Sequence, residues 1–201
     1  MSDVPENRSA GVALNERAME SLEFIRTTMA RSAPFTAVSG RAGIAMGLLA
    51  IAAAIVARSA GSNEQWLGIW IGCAVIAVPV GLAMMRAKAR RYELALWSAA
   101  GRRFAQGFLP SIIGGAVLTV ALVRADAIEL VPAAWLLLYG AGVLAGSSSS
   151  VPVLAWLGTL FMAFGTLALF TPAEWRDLWL ASGFGVLQIA FGAYIARNHG
   201  G

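Results

Sequence analysis

The sequence predicts an all-α integral membrane protein: six transmembrane helices, preceded by an amphipathic helix on the cytoplasmic side. Three observations predict it. Six runs, 42–57, 66–85, 108–123, 130–146, 151–170 and 178–196, contain no Asp, Glu, Lys, Arg or His. Between the second and third lies R-A-K-A-R-R-Y-E-L-A-L-W-S-A-A-G-R-R, residues 86–103, with six cations against the single acid Glu93. Ahead of the first run, residues 12–30 carry apolar side chains at helical spacing among charged ones.

Composition agrees. Of 201 residues 58% are hydrophobic and only 13% charged, against roughly 25% charged in soluble domains. Seven Trp and 22 Gly suit a helix bundle in lipid, where Trp anchors interfaces and Gly lets helices approach. The net charge of +4 is concentrated beside the apolar runs. That is an orientation signal, not the basic face of a nucleic-acid-binding domain, so no nucleic-acid partner is expected. Cys73 is the only cysteine, which rules out an intramolecular disulfide and leaves it as a small apolar side chain.

In chain order, residues 1–11 read as a disordered polar lead, without the basic-then-apolar pattern of a secretory signal. Residues 12–41 form an amphipathic helix and a linker. Leu14, Ala18, Leu22, Ile25 and Met29 fall on one stripe, with Glu16, Arg17, Glu20 and Glu23 mostly off it. The stripe has three possible destinations: the headgroups, the underside of the bundle, or the same helix of a second copy. Its acidic content favours protein contact. Pro34 and Ser39-Gly40 then interrupt the chain.

Residues 42–201 form the transmembrane domain, with a basic cytoplasmic loop at 86–107. A run of 20 residues at 1.5 Å each covers the ~30 Å hydrocarbon layer, and the 16-residue first and third runs need flanking residues to do so. With the N-terminus inside, twelve basic residues fall in cytoplasmic segments and three, Arg58, Arg124 and Arg176, outside. That positive-inside bias places both termini in the cytoplasm. Thr171-Pro172-Ala173-Glu174 has the form of a capping box opening the sixth helix. The acids on the outer side, Asp126, Glu129, Glu174 and Asp177, read as solvated loop charges. Trp66-Leu, Trp135-Leu and Trp179-Leu each open an inward-running span, with Gly72, Gly142 and Gly185 six or seven residues later. On one reading this is a repeat of three tandem helical hairpins.

Chemistry-bearing constellations are sparse. Ion- or proton-coupled transport ordinarily needs an ionisable group at membrane depth, and the runs hold none. Gln188, Tyr139 and the expected kink at Pro79 make up the candidate intramembrane polar site. Gln188 would serve either as interhelical glue or as a group orienting an uncharged solute, and glue is the commoner use of a buried amide. Thr119, Thr159, Thr166 and Ser182 are expected to bond their own helix backbones. Gly43/Gly47, Gly68/Gly72 and Gly142/Gly146 match G-x-x-x-G, which favours packing within the chain over a dimer face. His199 is the sole histidine, and no catalytic residue, metal site or cofactor site is expected.

The stretch L-E-F-I-R-T-T-M-A-R-S-A-P-F-T-A-V-S-G at 22–40, G-I-A-M-G at 43–47, W-L-L-L-Y-G-A-G at 135–142 and the ending R-N-H-G-G resemble an uncharacterised family of small six-span bacterial inner-membrane proteins. The resemblance implies a bacterial inner-membrane location and carries no activity or functional residue across.

The expected function is therefore non-enzymatic: a membrane accessory, scaffold or regulatory subunit. Its partner would be another membrane protein or a second copy of itself, with the bilayer around it. Docking is expected through Leu14, Leu22, Ile25 and Met29 and through Arg90, Arg91, Arg102 and Arg103. The alternative is a carrier or channel for a small neutral or apolar solute.

Overall fold

The computed structural model describes residues 17, 19–23, 36, 38–92 and 97–198. It divides into two compact units, Met1–Pro34 and Phe35–Gly201. In the first unit the described residues are helical, and Leu22 and Met19 are exposed. The stripe residues Leu14, Ala18, Ile25 and Met29 lie outside the described residues.

The second unit is all-helical, with no β-strand among the described residues. Its helices are α1 (Gly40–Ala57), α2 (Asn63–Arg91), α3 (Ala99–Arg124), α4 (Ile128–Ser147), α5 (Val153–Leu169) and α6 (Ala173–Asn198). All but α5 are long and apolar enough to cross a membrane, the architecture of a multi-pass membrane protein. The 17 residues of α5 span about 25 Å at 1.5 Å each. α4 and α6 each open on a single 3₁₀ turn, and α6 is π-helical over Ala181–Leu187.

The helix starts follow from local chemistry. Ser39, Ser62 and Ser98 each accept a hydrogen bond at Oγ from the backbone N–H three residues on, at 3.3, 3.2 and 3.1 Å. These serines satisfy donors that would otherwise be orphaned in the first turns of α1, α2 and α3. α3 ends in a Schellman arrangement. The Ala127 N–H reaches the Leu122 carbonyl at 2.9 Å, the Asp126 N–H reaches that of Val123 at 3.2 Å, and Asp126 has φ 55°.

Two expectations about local structure are corrected. The basic stretch is mainly helix: α2 continues through Arg91 and α3 begins at Ala99, because Ala, Arg and Lys are good helix formers once a span is nucleated. Thr171 does not cap α6. Its hydroxyl donates back to the Ala168 carbonyl at 3.2 Å and accepts from Trp179 Nε1 at 2.7 Å, so it closes the end of α5 instead. α2 continues through Pro79, and α3 likewise contains Pro110.

Packing differs in part from three independent hairpins. α1 packs on α2, and α3 on α4, but α5 lies mainly on α4 and α6 mainly on α1. The α1–α6 seam is built on glycine. A Cβ at Gly192 would stand 2.7 Å from the Gly40 carbonyl oxygen, and one at Gly47 2.8 Å from that of Gly185. A second close seam joins α4 and α5, where a Cβ at Gly158 would lie 2.7 Å from the Gly140 oxygen. Gly142 and Gly146 meet Phe108 and Phe104 of α3. Two of the three G-x-x-x-G pairs are thus consumed within the chain, whereas Gly68 and Gly72 of α2 have nothing within 4 Å of a Cβ.

Alternation of the helices places the N-terminus of α1 beside the C-terminus of α6, through Gly40 against Gly192 and Ala196. Lys88 Nζ donates to the Val38 carbonyl at 2.9 Å, and Ala100 packs with Val38, Met85 and Phe104. The ends of α1, α2, α3 and α6 that carry Arg41, Arg86, Arg90, Arg91, Arg102, Arg103 and Arg197 therefore share one end of the bundle.

Replacing Gly192 by Val should force α1 from α6 and destabilise the detergent-solubilised protein by about 1–3 kcal/mol. Gly68→Ala, in open space, should leave the thermal unfolding midpoint unchanged. Equal midpoints for both variants would contradict the seam.

Candidate functional sites

Midway along the bundle, Gln188 Nε2 of α6 donates to the Tyr139 hydroxyl of α4. Gln188 is 7% exposed. Around the pair stand Phe108 in edge contact with Tyr139 at 5.6 Å, Phe161 at 4.7 Å and Phe184 at 5.0 Å between ring centroids. Phe161 and Phe184 also meet each other at 5.1 Å. Each polar group thus has a partner inside an aromatic sleeve, which strengthens the bond by excluding water. No buried side-chain nitrogen or oxygen is left without a partner among the described residues. Thr119, Thr159 and Thr166 bond the carbonyls four residues back.

Gln188 directly succeeds the π-helical segment Ala181–Leu187. Gly183 there faces Leu136 and Phe161, and Gly185 faces Ile51 and Gly47. The wider π turn rotates the C-terminal half of a helix relative to its N-terminal half, and such segments recur at functional sites. Of the three residues expected at an intramembrane site, Gln188 and Tyr139 are brought together. Pro79 is exposed on α2, which packs on α1, and it takes no part in the pair.

A second polar assembly closes the end of the bundle opposite the arginines. Asp177 Oδ1 accepts from Trp66 Nε1 at 2.7 Å and from Trp70 Nε1 at 3.0 Å. The Arg176 guanidinium lies 4.4 Å from the Trp66 ring centroid and bonds Asn63 Oδ1 at 2.9 Å. Trp66 is 0% and Trp70 3% exposed. Asp177 is thereby a cross-link between α2 and α6, not a solvated loop charge. The sequence held one signal for it: Trp66 and Trp70 are four apart, hence on one helix face, and two buried indole N–H groups need an acceptor. Which acceptor is visible only after folding, since Asp177 is more than a hundred residues away.

The third feature is the basic end. Arg41, Arg86, Arg90, Arg91, Arg102, Arg103 and Arg197 are all exposed. Arg102 donates to the Trp97 carbonyl at 2.7 Å, and Arg91 stands 5.9 Å from the Tyr92 ring centroid. The four arginines expected at a docking surface, Arg90, Arg91, Arg102 and Arg103, belong to this set. Lys88, counted in the sequence only as a topological charge, is instead buried at 5% exposure and ties α2 to the segment entering α1. Among the described residues no group of three His, Cys, Asp or Glu side chains is arranged to hold a metal.

Gln188→Leu leaves the Tyr139 hydroxyl unpaired and should cost about 0.5–2 kcal/mol. The double variant with Tyr139→Phe should recover part of that loss, as a thermal double-mutant cycle would reveal. Asp177→Ala strands two indoles and should cost about 1–3 kcal/mol with a change in Trp fluorescence, whereas Asp177→Asn, which keeps an acceptor oxygen, should cost less.

Comparison with protein-family models, with curated proteins and with solved structures found no match for this chain.

Proposed function

We propose that this chain is a non-enzymatic accessory, scaffold or regulatory subunit of a bacterial inner membrane. In this reading it has six spans, α5 completed by the flanking Val151 and Pro152, and both termini face the cytoplasm. The single observation that carries it is how the polarity is distributed. Tyr139 and Gln188 are spent on each other inside aromatic packing, while the arginines at one end are exposed and, among the described residues, not ion-paired. A surface of that kind engages partners, and the positive-inside bias assigns it to the cytoplasm. In this reading the amphipathic segment 12–30 is a second docking element.

Purification in mild detergent should yield a defined complex, with another membrane protein or a second copy. Its yield should fall severalfold when Arg90, Arg91, Arg102 and Arg103 are changed to Gln. A lone monomer in native-like lipid would overturn the reading. Cysteine-scanning with an impermeant reagent on intact cells should leave both termini unlabelled.

A carrier for a small uncharged solute is the second reading, favoured by two specific observations. α1 contacts α2 and α6 while α4 contacts α5 and α3, a pattern that maps onto itself when helices 1–3 exchange with helices 4–6. Because α1 and α4 run in opposite directions, that is the adjacency of inverted repeats, whose interface is where transporters bind substrate. The π-helical segment beside Gln188 lies along this interface. Under the carrier reading Gln188→Leu abolishes flux in vesicles, and under the scaffold reading it alters stability alone.

A further inference from the structure

Along α2, Val75, Val78, Leu82, Arg86 and Arg90 are all exposed, and steps of three and four residues put them on one stripe. A column of apolar side chains therefore runs directly into two guanidinium groups one turn apart. α3 has the same design from its other end: Arg102, Gln106, Leu109, Ile113 and Val117 are exposed at the same spacing. Met85 of α2 and Phe104 of α3 pack on the same Ala100, so the two cationic ends stand at one level. Among the described residues of the second unit, nothing covers either face. Gly68 and Gly72 on α2 and Gly114 on α3 have nothing within 4 Å of a Cβ.

We infer that the outward faces of α2 and α3 bind anionic phospholipid, with headgroup phosphodiesters held at Arg86 and Arg90 on α2 and at Arg102 and Arg103 on α3, and the acyl chains lying along the apolar column of each helix. The order apolar-then-cationic along each helix matches the order chain-then-phosphate along a lipid. A water-soluble phosphate would engage the arginines and leave the columns bare, and an acidic peptide would do the same. Guanidinium forks match phosphate oxygens in two-point geometry. Arg86 and Arg90, like charges one turn apart, repel until an anion stands between them. Exposed Tyr92 and Trp97, the latter 79% exposed, border the same level, as aromatic side chains do at headgroups. The inference rests on the membrane reading above and requires no protein partner.

The test uses the full chain, purified in a neutral detergent and titrated with phosphatidylglycerol, with phosphatidylcholine of the same chains, and with inorganic phosphate. Thermal unfolding and retained lipid by mass spectrometry are the readouts. Phosphatidylglycerol should be preferred by about fivefold per engaged arginine, the preference falling as salt is raised. Changing the four arginines to Gln should abolish the preference, changing them to Lys should retain most of it, and Arg58→Gln with Arg124→Gln at the other end should leave it intact. Equal response to the two lipids, or a preference surviving in the Gln variant, overturns the inference, as does stabilisation by phosphate alone. If the Gln variant does not fold, the wild-type lipid comparison and the Lys variant decide. A chain that co-purifies with a partner yet shows no lipid preference sinks this inference and spares the docking proposal. Lipid preference in a solitary monomer does the reverse.

Discussion

The close approach of α1 to α6 holds the first span of the bundle to the last. Gly40, Gly43 and Gly47 meet Gly185, Gln188 and Gly192 almost backbone to backbone. Between lipid-exposed helices there is no hydrophobic driving force, since acyl chains are as apolar as leucine, so association depends on van der Waals contact at short range. Glycine makes that range available. With α6 seated on α1, its Gln188 faces Tyr139 and its Asp177 reaches the indoles of α2. The α4–α5 seam through Gly140 and Gly158 does the same for the other side of the core, where Leu136 and Phe161 are fully buried.

Polarity is distributed around this frame in three tiers. Among the described residues, the hydroxyls of Thr119, Thr159 and Thr166 bond their own helices, the buried Gln188 amide bonds the half-buried Tyr139 phenol, and charged groups lie toward the two ends. The ends are unlike. One is cross-linked by an acid shared between two tryptophans and by an arginine stacked on one of them. The other presents exposed arginines on helix termini that extend beyond the apolar spans. The rigid end and the displayed end differ because indoles can be buried against a carboxylate, whereas several like charges cannot be buried together.

The helices themselves were legible because lipid imposes a simple rule: an uncharged run of sufficient length is a span, and its backbone must be helical. The same rule misled at the boundaries. Helix α2 does not stop at its last apolar residue, and the arginines beyond it continue the helix. Gly43/Gly47 and Gly142/Gly146 were rightly expected to pack within the chain, while Gly68/Gly72 carry the same spacing and meet nothing. Spacing says that a face is smooth. It does not say what lies opposite.

Composition, run length and charge placement were enough to predict a helical multi-pass architecture, with helices apolar enough to cross a membrane and one strongly basic end, because those properties depend on each segment's own solvent preference. Tertiary structure alone decided which helix lies beside which. It paired Tyr139 with Gln188 and set Pro79 apart from them, and it turned Asp177 from a loop charge into a cross-link. Lys88 it buried against the Val38 carbonyl. Those outcomes join residues 49 to 111 positions apart, and no local preference encodes a partner at that distance.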